Sequence, residues 1–209
     1  PLLFVTGVVS MAMEVVWTRQ YTPYLGNSVY AFAIILGGYL LATFVGSCLY
    51  RLFIKKNPAQ YDLAWVVVGL ISLVPVYAAD PYLPMKGFLR IILGIMPFCL
   101  VLGYLTPSLV DRWSMGRPNR AGTAYAVNVL GCIVGPLIAG FLLLPFMAER
   151  FALAVLALPL FGAGYMAARR LYDDRVRVGG LKPWPAYIFS AVIAVVLVAI
   201  SSPSEDQVY

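Results

Sequence analysis

Histidine is absent from the 209 residues, so imidazole ligation of haem, copper or zinc and histidine acid–base catalysis are excluded within this chain. Cysteine is scarce: Cys48, Cys99 and Cys132 lie far apart in apolar surroundings, without ligand or disulfide spacing, and read as small buried hydrophobes. Charge is scarcer still. Charged residues make up 11% of the chain, against roughly a quarter in an ordinary soluble domain. Between Arg19 and Arg51 there are 31 consecutive residues without one, and a second such gap separates Arg120 from Glu149. A soluble fold of this size could not hide 62% apolar residues, whereas a polytopic helical one need not hide them.

An α-helix rises ~1.5 Å per residue and needs ~20 apolar residues to cross a ~30 Å hydrocarbon core. The uncharged stretches give seven candidate spans, at residues 2–18, 28–50, 62–79, 88–109, 121–147, 151–168 and 184–200. The expected fold is an all-α transmembrane bundle of six or seven helices in a single domain, 1–209. The first run has no basic flank before it and no small-residue cleavage site after it, so it does not read as a signal peptide, and a segment upstream of Pro1 is expected.

The formal charge of +6 would suit a nucleic-acid binder if it formed one stripe, but it is spread over short segments between apolar runs. Placing the loops after spans two, four and six on one side gives that side eleven of the 15 basic residues, from Arg51 to Lys182. The other side keeps Arg19, Lys86, Arg90 and Arg150. The positive-inside bias then puts the N-terminus and the basic loops in the cytoplasm and the tail outside. The segment 169–182 is basic enough to meet anionic headgroups or a protein partner.

Pro97, Pro107, Pro136, Pro145 and Pro159 fall within spans and predict bends, which hydrocarbon tolerates only where protein or a water-filled cavity covers the freed carbonyl. Small residues supply close-approach faces: Gly38, Ala42 and Gly46 on span two, Gly131 and Gly135 on span five. Residues 30–47 and 125–141 both open with Tyr-Ala and carry glycines along one face. With opposite directions in the membrane they suggest a 3+3 inverted repeat, an organisation of many secondary transporters. Tyr21, Tyr24, Trp65 and Trp113 near span ends are expected in interfacial belts.

Glu14 is the only acidic residue inside an apolar run, and an unpaired carboxylate there costs several kcal/mol. Three readings stay open: a clamp to Arg19, a tyrosine or Asn128; a proton- or cation-coupling group; an interfacial position. Asn128 can hydrogen-bond across helices, and Tyr30 and Tyr125 are candidates to line the same polar site. Asp111, Arg112, Arg117 and Arg120 form a charged loop after span four.

The segments SMAMEVVWTRQYTPYLGNSVYAFAIILGGYLLATFVGS, GYLTPSLVDR and GRPNRAGTAYAVNVLGCIVGPLIAGFLLLP together resemble the membrane region of bacterial spermidine synthase-like integral membrane proteins, in which a major-facilitator-type half is joined to an aminopropyltransferase domain. The resemblance implies six or seven helices with no catalytic role of their own, accompanied by a soluble domain that binds decarboxylated S-adenosylmethionine and a polyamine. This sequence contains no such domain: it has no glycine-rich loop followed by an acidic strand end and no acidic cluster for a polyamine, so it stands alone or forms part of something longer. No cofactor, metal or nucleic-acid site is expected in it. The leading expectation is a non-enzymatic, transporter-like module in contact with lipid and with other membrane subunits or an aminopropyltransferase-like domain, handling a small cationic solute. The competing one is a structural or anchoring subunit of a larger complex.

Overall fold

The computed structural model describes residues 2–53, 59–78 and 87–179, and within them the chain is an all-α bundle. The helices are α1 (Leu2–Leu25), α2 (Ser28–Phe53), α3 (Ala59–Ile71), α4 (Val74–Ala78), α5 (Gly87–Gly94), α6 (Met96–Ser114), α7 (Pro118–Leu137) and α8 (Glu149–Gly179), with a π-helical stretch, Ile138–Leu143, continuing α7. By length and hydropathy they make six membrane-crossing spans: α1, α2, α3 with α4, α5 with α6, α7 with the π-helical stretch, and the first 24 residues of α8. The expected seventh span, 184–200, lies outside the described residues, as do Lys55, Lys56, Lys86 and Lys182.

Most helices outrun the apolar stretches that signalled them. α1 continues past Arg19 to Leu25 and α6 past Asp111 to Ser114, because a charged side chain ends contact with hydrocarbon without ending backbone hydrogen bonding. The prolines act unequally. Pro75 and Pro97 follow interruptions at Ser72–Leu73 and Ile95, so spans three and four are each two helices. Pro107 and Pro159 sit inside continuous helices, and Pro145 lies beyond the π-helical stretch. Pro136 cannot donate to the carbonyl of Cys132, and the helix widens within two residues until Leu144 N–H reaches back to Ala139 O at 2.9 Å.

Three helix pairs carry most of the packing: α1 on α7, α2 on α6 and α3 on α8. Glycines set their separation. A Cβ on Gly131 would overlap the Phe4 carbonyl oxygen, one on Gly135 that of Val8, and one on Gly7 that of Asn128. Phe4 with Gly131 and Val8 with Gly135 show α1 and α7 running parallel. In the same order Gly38 meets Met96, Gly46 lies on the Leu100 carbonyl and Tyr50 meets Asp111, so α2 and α6 are parallel too. By contrast Gly69 faces Leu160 while Asp62 pairs with Arg170 at 3.5 Å, which makes α3 and α8 antiparallel.

Exchanging the first three spans with the last three turns the α1/α7 pair into α6/α2 and returns α3/α8 to itself. The pairings of the two halves therefore correspond, as they do in a 3+3 inverted repeat. The closest approaches correspond as well, Gly46 lying on Leu100 O and Tyr104 N as Gly131 lies on Phe4 O and Val8 N. The interior is filled from α1 and α6, where Trp17 meets Phe98 edge-on at 5.6 Å between centroids. Tyr21 and Trp65 belong to this interior and not to an interfacial belt. Tyr21 donates from its hydroxyl to Pro75 O at 3.0 Å, occupying a carbonyl at the span-three break. Spans two and five are the least enclosed, with 17% of each buried, and turn large apolar side chains such as Phe44 and Ile133 outward.

Candidate functional site

Along α1 the residues Thr6, Ser10, Glu14, Thr18 and Thr22 recur every fourth position, which places them on one face of the helix. Two cavities lie against this face, one beyond the other. The first, of about 560 Å³, is bounded by α1, α2, α6 and α7 and includes Thr6, Ser10, Thr43, Ser47, Thr106 and Asp111 in its wall. The second, of about 630 Å³, is bounded by α1, α2 and the α7 span, with Glu14, Thr18, Thr22, Phe32, Leu36 and Pro136 among its residues. Each helix crosses from one to the other within about a turn: Ser10 to Glu14, Tyr39 to Leu36, Cys132 to Pro136. Tyr39 and Ser10 both line the first cavity at this boundary.

Five serine and threonine hydroxyls of the first cavity act as acceptors toward it, beside the Asn128 amide and the Tyr39 and Tyr125 phenols, which can also donate. Thr6, Ser10, Thr43 and Thr106 each direct the hydroxyl to a carbonyl one turn back on its own helix, at 2.9 to 3.1 Å. Ser47 directs its own across to Gly103 O at 3.0 Å. A carbonyl only accepts, so each hydroxyl spends its proton there and keeps only lone pairs for the cavity. Asp111, which is exposed, is the single charged group in the wall among the described residues, and Tyr50 donates to its Oδ2 at 2.9 Å. An acceptor-rich wall with one carboxylate suits a ligand rich in N–H donors and repels an anion.

The residues expected to form one polar site are divided. Asn128 and Tyr125 line the first cavity, with Asn128 Nδ2 lying 3.8 Å from Cys132 Sγ. Glu14 lines the second; it is 5% exposed, and its Oε2 is buried without a hydrogen-bond partner among the described residues. Tyr30 is 66% exposed and lines neither cavity. The clamp between Glu14 and Arg19 is not made: Arg19 lies five residues on, rotated off the Glu14 face, and pairs with Glu149 at 2.7 Å while reaching Leu144 O at 3.4 Å. Nor does Asn128 reach the Glu14 carboxylate.

The charged loop likewise separates. Asp111 belongs to the wall of the first cavity, whereas Arg112 stacks its guanidinium over the Tyr61 ring at 3.6 Å and ties α6 to α3. Met115 and Gly116 close α6 in left-handed backbone at φ 48 and 76, with Met115 N–H on Asp111 O. Arg117, one residue further, precedes α7, and both it and Arg120 are exposed. The ion pairs and ring contacts place Tyr50, Asp62, Asp111, Arg112 and Arg170 at one end of the bundle and Arg19 and Glu149 at the other.

Thr6, Ser10, Tyr39, Thr43, Ser47 and Thr106 are site residues that charge and glycine patterns do not reveal. The four-residue spacing of hydroxyls through span one is the signal that could have found the first two. In comparisons with known proteins the chain matches no family model, no curated protein and no solved structure.

Proposed function

We propose that the chain is a non-enzymatic membrane module that binds and moves a small cationic solute. The observation that supports this reading is the first cavity, whose five serine and threonine hydroxyls have spent their protons on carbonyls and whose one charge, among the described residues, is the Asp111 carboxylate. Its setting fits, since transporters built from inverted repeats hold substrate where the repeats meet, and this cavity is walled by two spans of each half. In this reading the end bearing Asp111 faces the cytoplasm of a bacterial cell, on the strength of the basic residues gathered there. An aminopropyltransferase-like domain, which the sequence resemblance implies, would be a polyamine-handling partner at that side.

Putrescine is a suitable probe, being a short chain with an ammonium at each end. The purified chain in liposomes should take up labelled putrescine above protein-free vesicles, and Asp111→Asn should reduce binding about tenfold or more, as expected for loss of a hydrogen-bonded charge. Absence of both binding and uptake in the intact chain would overturn the reading and leave the anchoring role. Unchanged binding in Asp111→Asn would remove this cavity from the account.

A further inference from the structure

We propose that Glu14 anchors a second organic-ammonium site, in the cavity at the Arg19 end of the bundle and in line with the first. Glu14 Oε2 is buried and lacks a hydrogen-bond partner among the described residues, and its side chain borders a cavity of about 630 Å³. Burying a carboxylate oxygen without a donor is costly, so the group requires a donor from outside the bundle or the loss of its charge. Arg19 does not supply one, being engaged by Glu149.

The remaining wall specifies the ligand. Thr18 donates its hydroxyl to Glu14 O at 2.9 Å and Thr22 donates to Thr18 O, so each keeps only lone pairs in a wall whose other polar residues are Glu14, Arg19 and Ser28. One carboxylate and these hydroxyl oxygens match the three N–H donors of an ammonium. Met11, Val15, Phe32, Leu36 and Leu144 provide an apolar wall for an alkyl body, and the face of Phe32 can favour a cation. A divalent metal ion fits less well, since it takes about six oxygen ligands and no group of three or more histidine, cysteine or acidic residues comes together among the described residues. Tyr39 of α2, Cys99 of α6 and Cys132 of the α7 span interact electrostatically with Glu14, and the cation in the cavity wall, Arg19, is paired with Glu149.

The inference rests on the cation reading given above but on a different carboxylate, so the two can fail separately. The probe is labelled n-butylammonium, with one charge and one apolar tail, in equilibrium dialysis against the intact purified chain. Two sites per chain are expected, with one lost in Asp111→Asn and the other weakened about tenfold or more in Glu14→Gln. If Glu14→Gln does not elute as a single species, Thr22→Val in the Asp111→Asn background should weaken the remaining site several-fold by removing an acceptor. A single site that Asp111→Asn abolishes overturns the Glu14 proposal and leaves the first cavity standing. Binding unaffected by Asp111→Asn but removed by Glu14→Gln supports the Glu14 site and defeats the first; no binding at all defeats both.

Discussion

Replacing Gly46 by alanine tests the closest helix contact in the bundle. A Cβ at this position would overlap the Leu100 carbonyl oxygen and stand 2.9 Å from Tyr104 N, and both neighbours are backbone, so neither can rotate away. Relief requires α2 and α6 to separate, which also stretches the 3.0 Å bond from Ser47 Oγ to Gly103 O. Overpacking of this kind costs about 3 kcal/mol at its upper range, and losing one hydrogen bond about 1 kcal/mol more. Alanine recovers roughly 1 kcal/mol over glycine within a helix, leaving a net loss of about 3 kcal/mol. Two glycines of the same helix serve as controls. A methyl group on Gly37 would have nothing within 4 Å of it, and one on Gly38 would meet only the flexible Met96 Cε at 3.0 Å. Gly37→Ala should therefore be neutral or stabilising, Gly38→Ala near neutral, and Gly46→Ala strongly destabilising in detergent-based equilibrium unfolding. Equal stability of Gly46→Ala and Gly37→Ala would refute the α2/α6 contact.

Arg19 should be energetically coupled to Glu149 and not to Glu14. The pair sits at a bundle end, with side-chain exposures of 57% and 29%, so its coupling in a double-mutant cycle should be below about 1 kcal/mol; a larger coupling with Glu14 would contradict the geometry. Orientation can be read with single cysteines after replacing the native three. Arg117→Cys and Phe146→Cys flank the span formed by α7 and the π-helical stretch and should label from opposite sides, position 117 only after the cell is permeabilised. Labelling of position 117 in intact cells would reverse the proposed topology.

The spans are legible in the sequence because their signal is long and one-dimensional: twenty or more residues without charge, as in 28–50, leave a soluble helix no face to turn toward water. The rows Gly38, Ala42, Gly46 and Gly131, Gly135 are legible for the same reason, a fixed spacing on one helix. What one helix does to another is not. Arg19 and Glu14 are close in sequence, but five residues turn a side chain by about 500°, away from the starting face, and Arg19 finds its partner, Glu149, on a helix at the far end of the chain. Hydroxyls are neutral and escape a search for charge, yet five of them act as acceptors toward the first cavity. Tyr30 and Tyr125 look equivalent through their shared Tyr-Ala opening. The closest contacts place them differently: Gly46 lies on Leu100 as Gly131 lies on Phe4, so the counterpart of Tyr125 is Leu40.

The glycine contacts set the register in which the two halves compare. Gly46 lies on Leu100 O and Tyr104 N as Gly131 lies on Phe4 O and Val8 N, and Gly103 lies on Thr43 as Gly7 lies on Asn128. In this register Ser10 takes the place of Thr106, Thr43 that of Asn128 and Ser47 that of Cys132, and all six line the first cavity. Exchange of the halves therefore returns the first cavity to itself, with α1 and α2 facing α6 and α7. The carboxylates break the match: the counterpart of Asp111 on α1 is Val15, one residue from Glu14. One residue turns a helical side chain by about 100°, so Asp111 stands in the wall of the first cavity and Glu14 in that of the second.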